Sequence, residues 1–253
     1  SNYTVSYSHG TLTVGSTTPT ITFADMTKVY GDSDFEGGAS SPSPVTITYS
    51  SDNTSVATIV DNKIHIAGAG TANITASQAG DGNYTAAAPV TKVLTVDKAI
   101  LTVTAANQSK TYGSANPALT VSYSGFVNGD DATALSTAPT ATTTATAASP
   151  AGTYAITATG GISANYNFSY TDGTLAVDKA ALTVKADDKI RAYNTANPTL
   201  TASYSGLVNG DTPATVVTSV PSLFTTATLS SPAGDYPITV SGRLQTHEEF
   251  GNI

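Results

Sequence analysis

An internal repeat constrains this chain more than any other feature of its sequence. The hexapeptide Lys98–Val103 (KAILTV) returns 81 residues later as Lys179–Val184 (KAALTV), and Asn128–Asp130 (NGD) returns at the same spacing as Asn209–Asp211. Further recurrences, spaced by 81 or 82 residues, are Tyr123–Gly125 with Tyr204–Gly206, Ser149–Gly152 with Ser231–Gly234, and Tyr30–Gly31 with Tyr112–Gly113. Self-similarity at a fixed period predicts an array of similar small domains rather than one large fold.

The composition favours strands and argues against several classes of partner. Thr, Ser, Ala, Gly, Val and Tyr dominate the 253 residues, and long runs of helix-forming residues are missing. The sequence has no cysteine, so disulfides cannot stabilise it. A net charge of −8 argues against binding nucleic acid or an anionic membrane. No apolar run approaches the roughly 20 residues of a membrane helix. The sequence also lacks a signal peptide, so we interpret it as a fragment or as a mature region.

The segment Ser163–Val184 marks where one repeat ends and the next begins. Aromatic residues at alternate positions predict a strand with one face in the core: Tyr166, Phe168 and Tyr170. A sugar-stacking platform is the alternative use of these rings. Asp172–Gly173 is a turn signal, and a second alternating run with Leu175 and Val177 follows it, so the pattern predicts a terminal β-hairpin.

The repeat boundaries predict an all-β chain. Its segments are a terminal hairpin of a preceding repeat (1–14), a first domain (15–97), a second domain (98–178) and a C-terminally incomplete third domain (179–253). Each domain is expected to be a small β-sandwich-like or β-grasp-like unit with at most one short helical turn. Asp130–Leu135 (DDATAL) is one predicted turn, because an aspartate can cap it. The short junction at Asp178–Lys179 leaves neighbouring domains little freedom to bend, which predicts an extended rod.

Two families resemble parts of this sequence. In the first domain, SVATI at Ser55–Ile59 and GAGTANITA at Gly68–Ala76 resemble phrases of bacterial immunoglobulin-like domains of group 2. In the second domain, KTYGSANP at Lys110–Pro117, YSGFVNGD at Tyr123–Asp130 and SPAGTY at Ser149–Tyr154 resemble MBG-type repeats of the YGX class. The resemblance implies tandem repeats of a large bacterial surface adhesin. The third domain departs mildly, with Asn194 where the motif has glycine.

The sequence contains few residues that could serve catalysis. We therefore predict that the chain is not an enzyme and that it has no catalytic residue and no cofactor. The three histidines, His9, His65 and His247, fall in separate predicted segments. His247 is followed by two glutamates, but the second histidine of a metalloprotease helix is absent. Without cysteine there is no thiol nucleophile, and no G-x-S-x-G elbow occurs.

Calcium is the one metal for which residues can be nominated. Ca²⁺ prefers six to eight oxygen ligands, and two acidic pairs could contribute some: Asp130 with Asp131, and Asp187 with Asp188. Neither pair has the spaced pattern of a dedicated loop. We therefore predict that chelators leave the fold intact.

The two ends of the repeat array do not match. Asn2–Val14 (NYTVSYSHGTLTV) resembles Asn165–Val177, whereas the tail Arg243–Ile253 lacks that pattern and offers only Leu244, Phe250 and Ile253 as apolar replacements. A sheet without its last strands invites strand addition. The sequence therefore raises the hypothesis that the spare segment of one molecule completes the third domain of another, giving a head-to-tail filament. The donor candidates are Tyr3, Val5, Tyr7, Leu12 and Val14. The alternative is that residues 1–14 form a loosely docked remnant.

These observations favour a non-enzymatic stalk or adhesion segment of a bacterial surface adhesin. Its expected location is secreted or on the cell surface, and its expected partners are neighbouring repeats and a host or environmental glycan or protein. A lectin-like glycan-binding module and the accessory region of a secreted polysaccharide-active enzyme are the alternatives. No contact with nucleic acid and no membrane insertion is predicted.

Overall fold

The computed structural model describes residues 2–242, and within this range the protein is almost entirely β-structure, as the composition predicts. The strands are β1 (Met26–Val29), β2 (Ile47–Ser51), β3 (Ala57–Val60), β4 (Lys63–Ile66), β5 (Gly70–Gln78), β6 (Val90–Asp97), β7 (Ala99–Ala105), β8 (Gln108–Thr111), β9 (Val121–Ser124), β10 (Thr140–Thr142), β11 (Gly152–Thr159), β12 (Tyr166–Thr171), β13 (Gly173–Asp178), β14 (Thr183–Ala186), β15 (Ala202–Ser205), β16 (Ser222–Thr225) and β17 (Ile238–Ser241). The helical turns are a 3-10 turn, Ala132–Ala134, and α1, Pro213–Val216. The 3-10 turn lies where Asp130–Leu135 predicted it.

Two compact units make up the described residues. The first contains the described residues up to Thr104 together with Val121–Thr140 and Thr159–Thr171. The second contains Ala105–Thr120, Ala141–Ala158 and the described residues from Asp172 onward. The middle repeat therefore contributes strands to both units.

The first six strands form a four-stranded sheet and a separate hairpin. The sheet has the order β1-β6-β5-β2, and β3 pairs with β4. Alternation sets the core face of β5, where Ala72, Ile74 and Ala76 are buried and the residues between them point outward. Asp61 and Asn62 close the β3–β4 hairpin with φ angles of 49° and 61°, a left-handed conformation that Asp and Asn tolerate well.

The middle repeat contains two sheets. One has the order β12-β7-β9, with β12 and β7 parallel so that Phe168 lies opposite Leu101. The other has the order β10-β11-β13-β8. In it, β13 is the second internal strand, and Leu175 lies between Tyr154 of β11 and Gln108 of β8. Each of the two sheets thus contains one strand from the terminal segment of the repeat, β12 in the first and β13 in the second.

The predicted terminal hairpin is therefore wrong. Strands β12 and β13 follow one another in sequence, but they pair with different neighbours and belong to different sheets. Gly173 does not form a left-handed turn. Glycine is needed here because the backbone passes close to Ala105: a Cβ at this position would lie 2.5 Å from the carbonyl oxygen of Ala105.

The aromatic face of β12 is buried to a decreasing extent along the strand. Tyr166 is 1% exposed, Phe168 is half-buried and Tyr170 is 38% exposed. The Phe168 and Tyr170 rings stack with centroids 6.0 Å apart. The prediction that these three aromatic side chains lie in the core is therefore fully confirmed only for Tyr166.

The third repeat keeps the local contacts of the middle repeat. Lys110 donates to the carbonyl oxygens of Ser114 and Thr146, and Arg191 donates to their counterparts on Thr195 and Thr228. The hydroxyls of Tyr154 and Tyr236 each donate to a proline carbonyl four residues earlier. No residue from 179 to 242 is fully buried, however, whereas the middle repeat buries Leu101, Val103, Ile156 and Leu175. Residues 179–242 therefore keep these hydrogen bonds of the middle repeat without its buried core.

Candidate functional site

A tyrosine–aspartate–tyrosine cluster in the first unit joins residues that precede the middle repeat to residues of that repeat. The hydroxyl of Tyr30, which follows β1, donates to Asp130 Oδ2 over 3.0 Å, and the hydroxyl of Tyr166 on β12 donates to the same oxygen over 2.7 Å. The backbone N–H of Val127 donates to the Tyr166 hydroxyl over 3.1 Å. One carboxylate oxygen therefore accepts from Tyr30, which precedes the middle repeat, and from Tyr166 within that repeat.

Aromatic rings pack around this half-buried carboxylate. The Tyr166 ring meets the Tyr30 ring edge to face at 5.6 Å and the Phe126 ring edge to face at 5.4 Å. These distances suit the favourable edge-to-face geometry of aromatic pairs. Burial raises the pKa of the Tyr166 phenol to about 12. The phenol therefore keeps the proton that it donates to Asp130 above about pH 10, where an exposed tyrosine would lose it.

A glycine allows the chain after β1 to approach Val127 closely at this cluster. Gly31 has a φ of +98°, and a Cβ at this residue would lie 2.6–2.9 Å from the three side-chain carbons of Val127. Only glycine combines this backbone angle with this approach at low cost. The Tyr30–Gly31 pair thus forms one half of the junction, and the loop from Val127 to Asp130 forms the other half.

The same junction occurs again one repeat later, within the second unit. The hydroxyl of Tyr112 donates to Asp211 Oδ2 over 3.1 Å. Gly113 has a φ of +89°, and a Cβ there would lie 2.5 Å from Val208 Cγ2. Asn209 adds a hydrogen bond from its Nδ2 to the carbonyl oxygen of Ala147 over 3.0 Å. Tyrosine, glycine, valine and aspartate therefore recur in the same roles.

The tyrosines of the recurring Tyr–Gly pairs do not all make this contact. The Tyr112 hydroxyl reaches beyond its own turn to the following repeat. Tyr193, the third member of the series, is 68% exposed, and Asn194 beside it has a φ of +59°. The signal was present in the sequence, because the YG and VNGD motifs recur with the same period.

The acidic residues nominated for calcium do not converge among the described residues. Asp130 serves the junction, and Asp131 caps the 3-10 turn. Hydrogen bonds from the side chain and backbone of Thr133 lower the pKa of Asp131. A hydrogen bond from Thr201 lowers the pKa of Asp187, while Asp188 lines a cavity in the third repeat. Between residues 2 and 242 no group of three or more His, Cys, Asp or Glu side chains could hold a metal ion.

The two described histidines and the donor candidates lie at the surface. His65 Nδ1 lies 2.7 Å from Asp34 Oδ1 on the surface, and His9 is exposed. His247, Leu244, Phe250 and Ile253 lie outside the described residues. The donor side chains are 73–89% exposed, in a segment that contains no strand: Tyr3, Val5, Tyr7, Leu12 and Val14. Among residues 2–242, no helix is long and apolar enough to cross a membrane.

Comparison with known families identifies the repeats. Residues 101–176 and 182–247 each match the MBG domain (YGX type), and the two matches together cover more than half of the chain. The chain therefore belongs to the MBG domain family of the YGX type, which is a family of repeat domains.

The comparisons with curated proteins and solved structures do not extend this family assignment. No curated protein matches the sequence. Two crystal structures of Drosophila N-cadherin are similar in part. The EC1-4 structure is 12% identical, with a TM-score of 0.24, over 76% of this chain and 60% of that one. The EC1-3 structure is 13% identical, with a TM-score of 0.22, over 64% of this chain and 68% of that one. The match to EC1-4 thus spans about three fifths of that protein's crystallised length.

Proposed function

We propose that this chain is a non-enzymatic stalk or adhesion segment of a repetitive bacterial adhesin, secreted or held at the cell surface. The observation that carries the proposal is the recurrence of one junction, Tyr30 with Asp130 and Tyr112 with Asp211. A contact made by the same residue types at successive repeats is suited to transmitting force and orientation from each domain to the next. In tandem arrays, such nearest-neighbour contacts set the stability of the whole.

In this proposal the chain consists of the segments 1–14, 15–97, 98–178 and 179–253. The first domain acts as an immunoglobulin-like member of the array, and the two MBG repeats follow it. Each junction joins a Tyr–Gly pair of one domain to a Val–Asn–Gly–Asp loop of the next. The domain that presents the pair and the domain that presents the loop therefore move together.

Nuclear magnetic relaxation of the backbone amides tests this coupling. We expect amides of residues 15–97 and of residues 121–140 to report one rotational correlation time in the wild-type chain. The double variant Tyr30→Phe with Asp130→Ala should separate the two values. Asp172→Ala removes the same charge from an exposed residue that takes no part in the junction, and it should leave the common value intact. Independent tumbling of the wild-type domains would refute the stalk role.

A glycan array probed with the intact chain tests the lectin-like alternative. The stalk role predicts no reproducible glycan. A glycan that binds reproducibly, and loses binding when exposed Tyr170 is changed to alanine, would instead assign the function to glycan recognition.

A further inference from the structure

The segment of residues 15–97, called the first segment below, pairs its first strand with its last. Strand β1 lies parallel to β6, with Lys28 opposite Val96. The backbone N–H of Tyr30 extends this pairing by donating to the carbonyl oxygen of Asp97 over 2.9 Å. In a parallel pair, both strands begin at the same end. The chain therefore enters β1 at one end of the pair and leaves β6 at the other end.

The middle repeat contains the same pairing in the same register. Strand β8 lies parallel to β13, with Lys110 opposite Val177. The backbone N–H of Tyr112 donates to the carbonyl oxygen of Asp178 over 2.8 Å. Each of these four residues lies 81 or 82 positions after its counterpart in the first segment. The parallel pairing of β1 with β6 and of β8 with β13 is thus a recurring feature of the chain.

A second parallel contact accompanies each of these pairs. In the middle repeat, β7 lies parallel to β12 over six residue pairs, starting with Ala99 opposite Tyr166. In the first segment, the corresponding contact is a single parallel bridge between Thr17 and Tyr84. Both stretches of chain therefore hold residues from their beginning parallel to residues from their end, and the middle repeat does so over a greater length.

This arrangement resists pulling along the chain. When the start of β1 and the end of β6 are drawn apart, the two strands must slide past one another, so all the hydrogen bonds between them carry the load together. When two paired strands are pulled apart from the same end, the bonds are instead loaded one after another. Forced unfolding is governed by the unfolding rate, so the bonds that must break together in the first step set the resistance.

We propose that β1 with β6 and β8 with β13 are force-bearing clamps, which keep the first segment and the middle repeat folded when the chain is under tension. Each clamp is continuous with a junction. The backbone N–H of Tyr30 closes the first clamp, and its hydroxyl donates to Asp130. Tyr112 closes the second clamp in the same way, and its hydroxyl donates to Asp211. The inference rests on the proposed stalk role for its purpose, and it adds the strands that bear the load.

The direction of pulling tests the first clamp in single molecules of the full chain. The sequence has no native cysteine, so two introduced cysteines define where each molecule is held. All three positions used are exposed: Ser16, Ser33 and Asp97. Ser16→Cys with Asp97→Cys pulls the two strands in opposite directions along their length. Ser33→Cys with Asp97→Cys pulls the same strands apart from one end.

We expect the lengthwise pull to require a severalfold larger unfolding force than the pull from one end. The length released identifies the event, because each unfolded residue between the two cysteines adds at most about 3.3–3.6 Å. Equal unfolding forces in the two directions would overturn the clamp. The relaxation experiment on the stalk role reports how segments tumble and does not load these strands, so failure of the clamp and failure of the stalk role give different results.

Proline substitutions test which hydrogen bonds form the first clamp. The N–H of Tyr30 donates to β6, whereas the N–H of Val29 donates to Asp32 Oδ2 over 3.1 Å. Alternation along the strand therefore directs the N–H of Lys28 towards β6 and that of Thr27 away from it. Strand β1 lies at the edge of its sheet, where proline is tolerated if the missing N–H faces away from the neighbouring strand.

Lys28→Pro should lower the lengthwise unfolding force, and Thr27→Pro should leave it unchanged. Lys28→Ala is the side-chain control, because it removes the ammonium that lies 4.5 Å from the centroid of the Phe35 ring but keeps the backbone N–H. It should therefore retain a larger force than Lys28→Pro. An equal fall in force for the two proline variants would refute the clamp. The comparison of pulling directions changes no residue of β1, so it decides the proposal even if Lys28→Pro does not fold.

Discussion

Gly31→Ala measures how tightly the first junction is packed. The residue has a φ of +98°, and holding a side chain in left-handed backbone costs about 1–2 kcal/mol. The new Cβ would also lie 2.6–2.9 Å from the carbons of Val127, well inside the roughly 3.5–4.0 Å optimum for carbon contacts. Overpacking of this kind costs about 1–3 kcal/mol. We therefore expect a total loss of about 2–5 kcal/mol in the free energy of unfolding.

Gly129→Ala is the matched control for backbone strain. Gly129 has a φ of +78°, but a Cβ there would have no neighbour within 4 Å, so only the loss of about 1–2 kcal/mol from the backbone is expected. Urea unfolding followed by circular dichroism gives both values. Val127→Ala should relieve part of the cost of Gly31→Ala. Equal losses at the two glycines, with no coupling between residues 31 and 127, would refute the close approach.

Three further predictions concern pH, a buried cation and metal ions. Because the folded pKa of Tyr166 is raised to about 12, its contribution to stability is fully present below about pH 10 and is lost between about pH 10 and 12, by about 1.4 kcal/mol per pH unit. Tyr166→Phe should lack that part of the alkaline loss of stability. An equal loss in the wild type and the variant would contradict the prediction. Lys110→Met should cost about 1–3 kcal/mol by leaving the carbonyls of Ser114 and Thr146 unpaired, and Arg191→Met should cost less because Arg191 is more exposed. EDTA should leave the melting temperature unchanged, and a fall of more than about 5 °C would reveal a calcium site.

The strands and the repeat could be predicted because they depend on local pattern. Alternation places Leu101, Ile156 and Leu175 inward, and the spacing of 81 or 82 residues locates equivalent positions without any knowledge of the fold. The capped turn after Asp131 follows from the same local chemistry.

The pairing of distant strands could not be predicted in this way. Asp172–Gly173 has the composition of a hairpin turn, yet the chain passes from one sheet to another there. The choice depends on parallel partners far away in sequence, such as Ala99–Thr104 for β12. The junction was missed for a related reason, because the partner of Tyr112 lies 99 residues away and local reasoning considers only the adjacent turn.

A double-mutant cycle between Tyr30 and Asp130 tests the proposal that the tyrosine–aspartate contact stabilises the attachment of residues 15–97 to the middle repeat. The free energy of unfolding is measured for the wild type, Tyr30→Phe, Asp130→Ala and the double variant. Hydrogen bonds to a charged group contribute about 1.5–3 kcal/mol, so we expect a coupling energy of that order between the two changes. Additive effects, within about 0.5 kcal/mol, would contradict the account, because the contact would then contribute nothing to the attachment of one domain to the next.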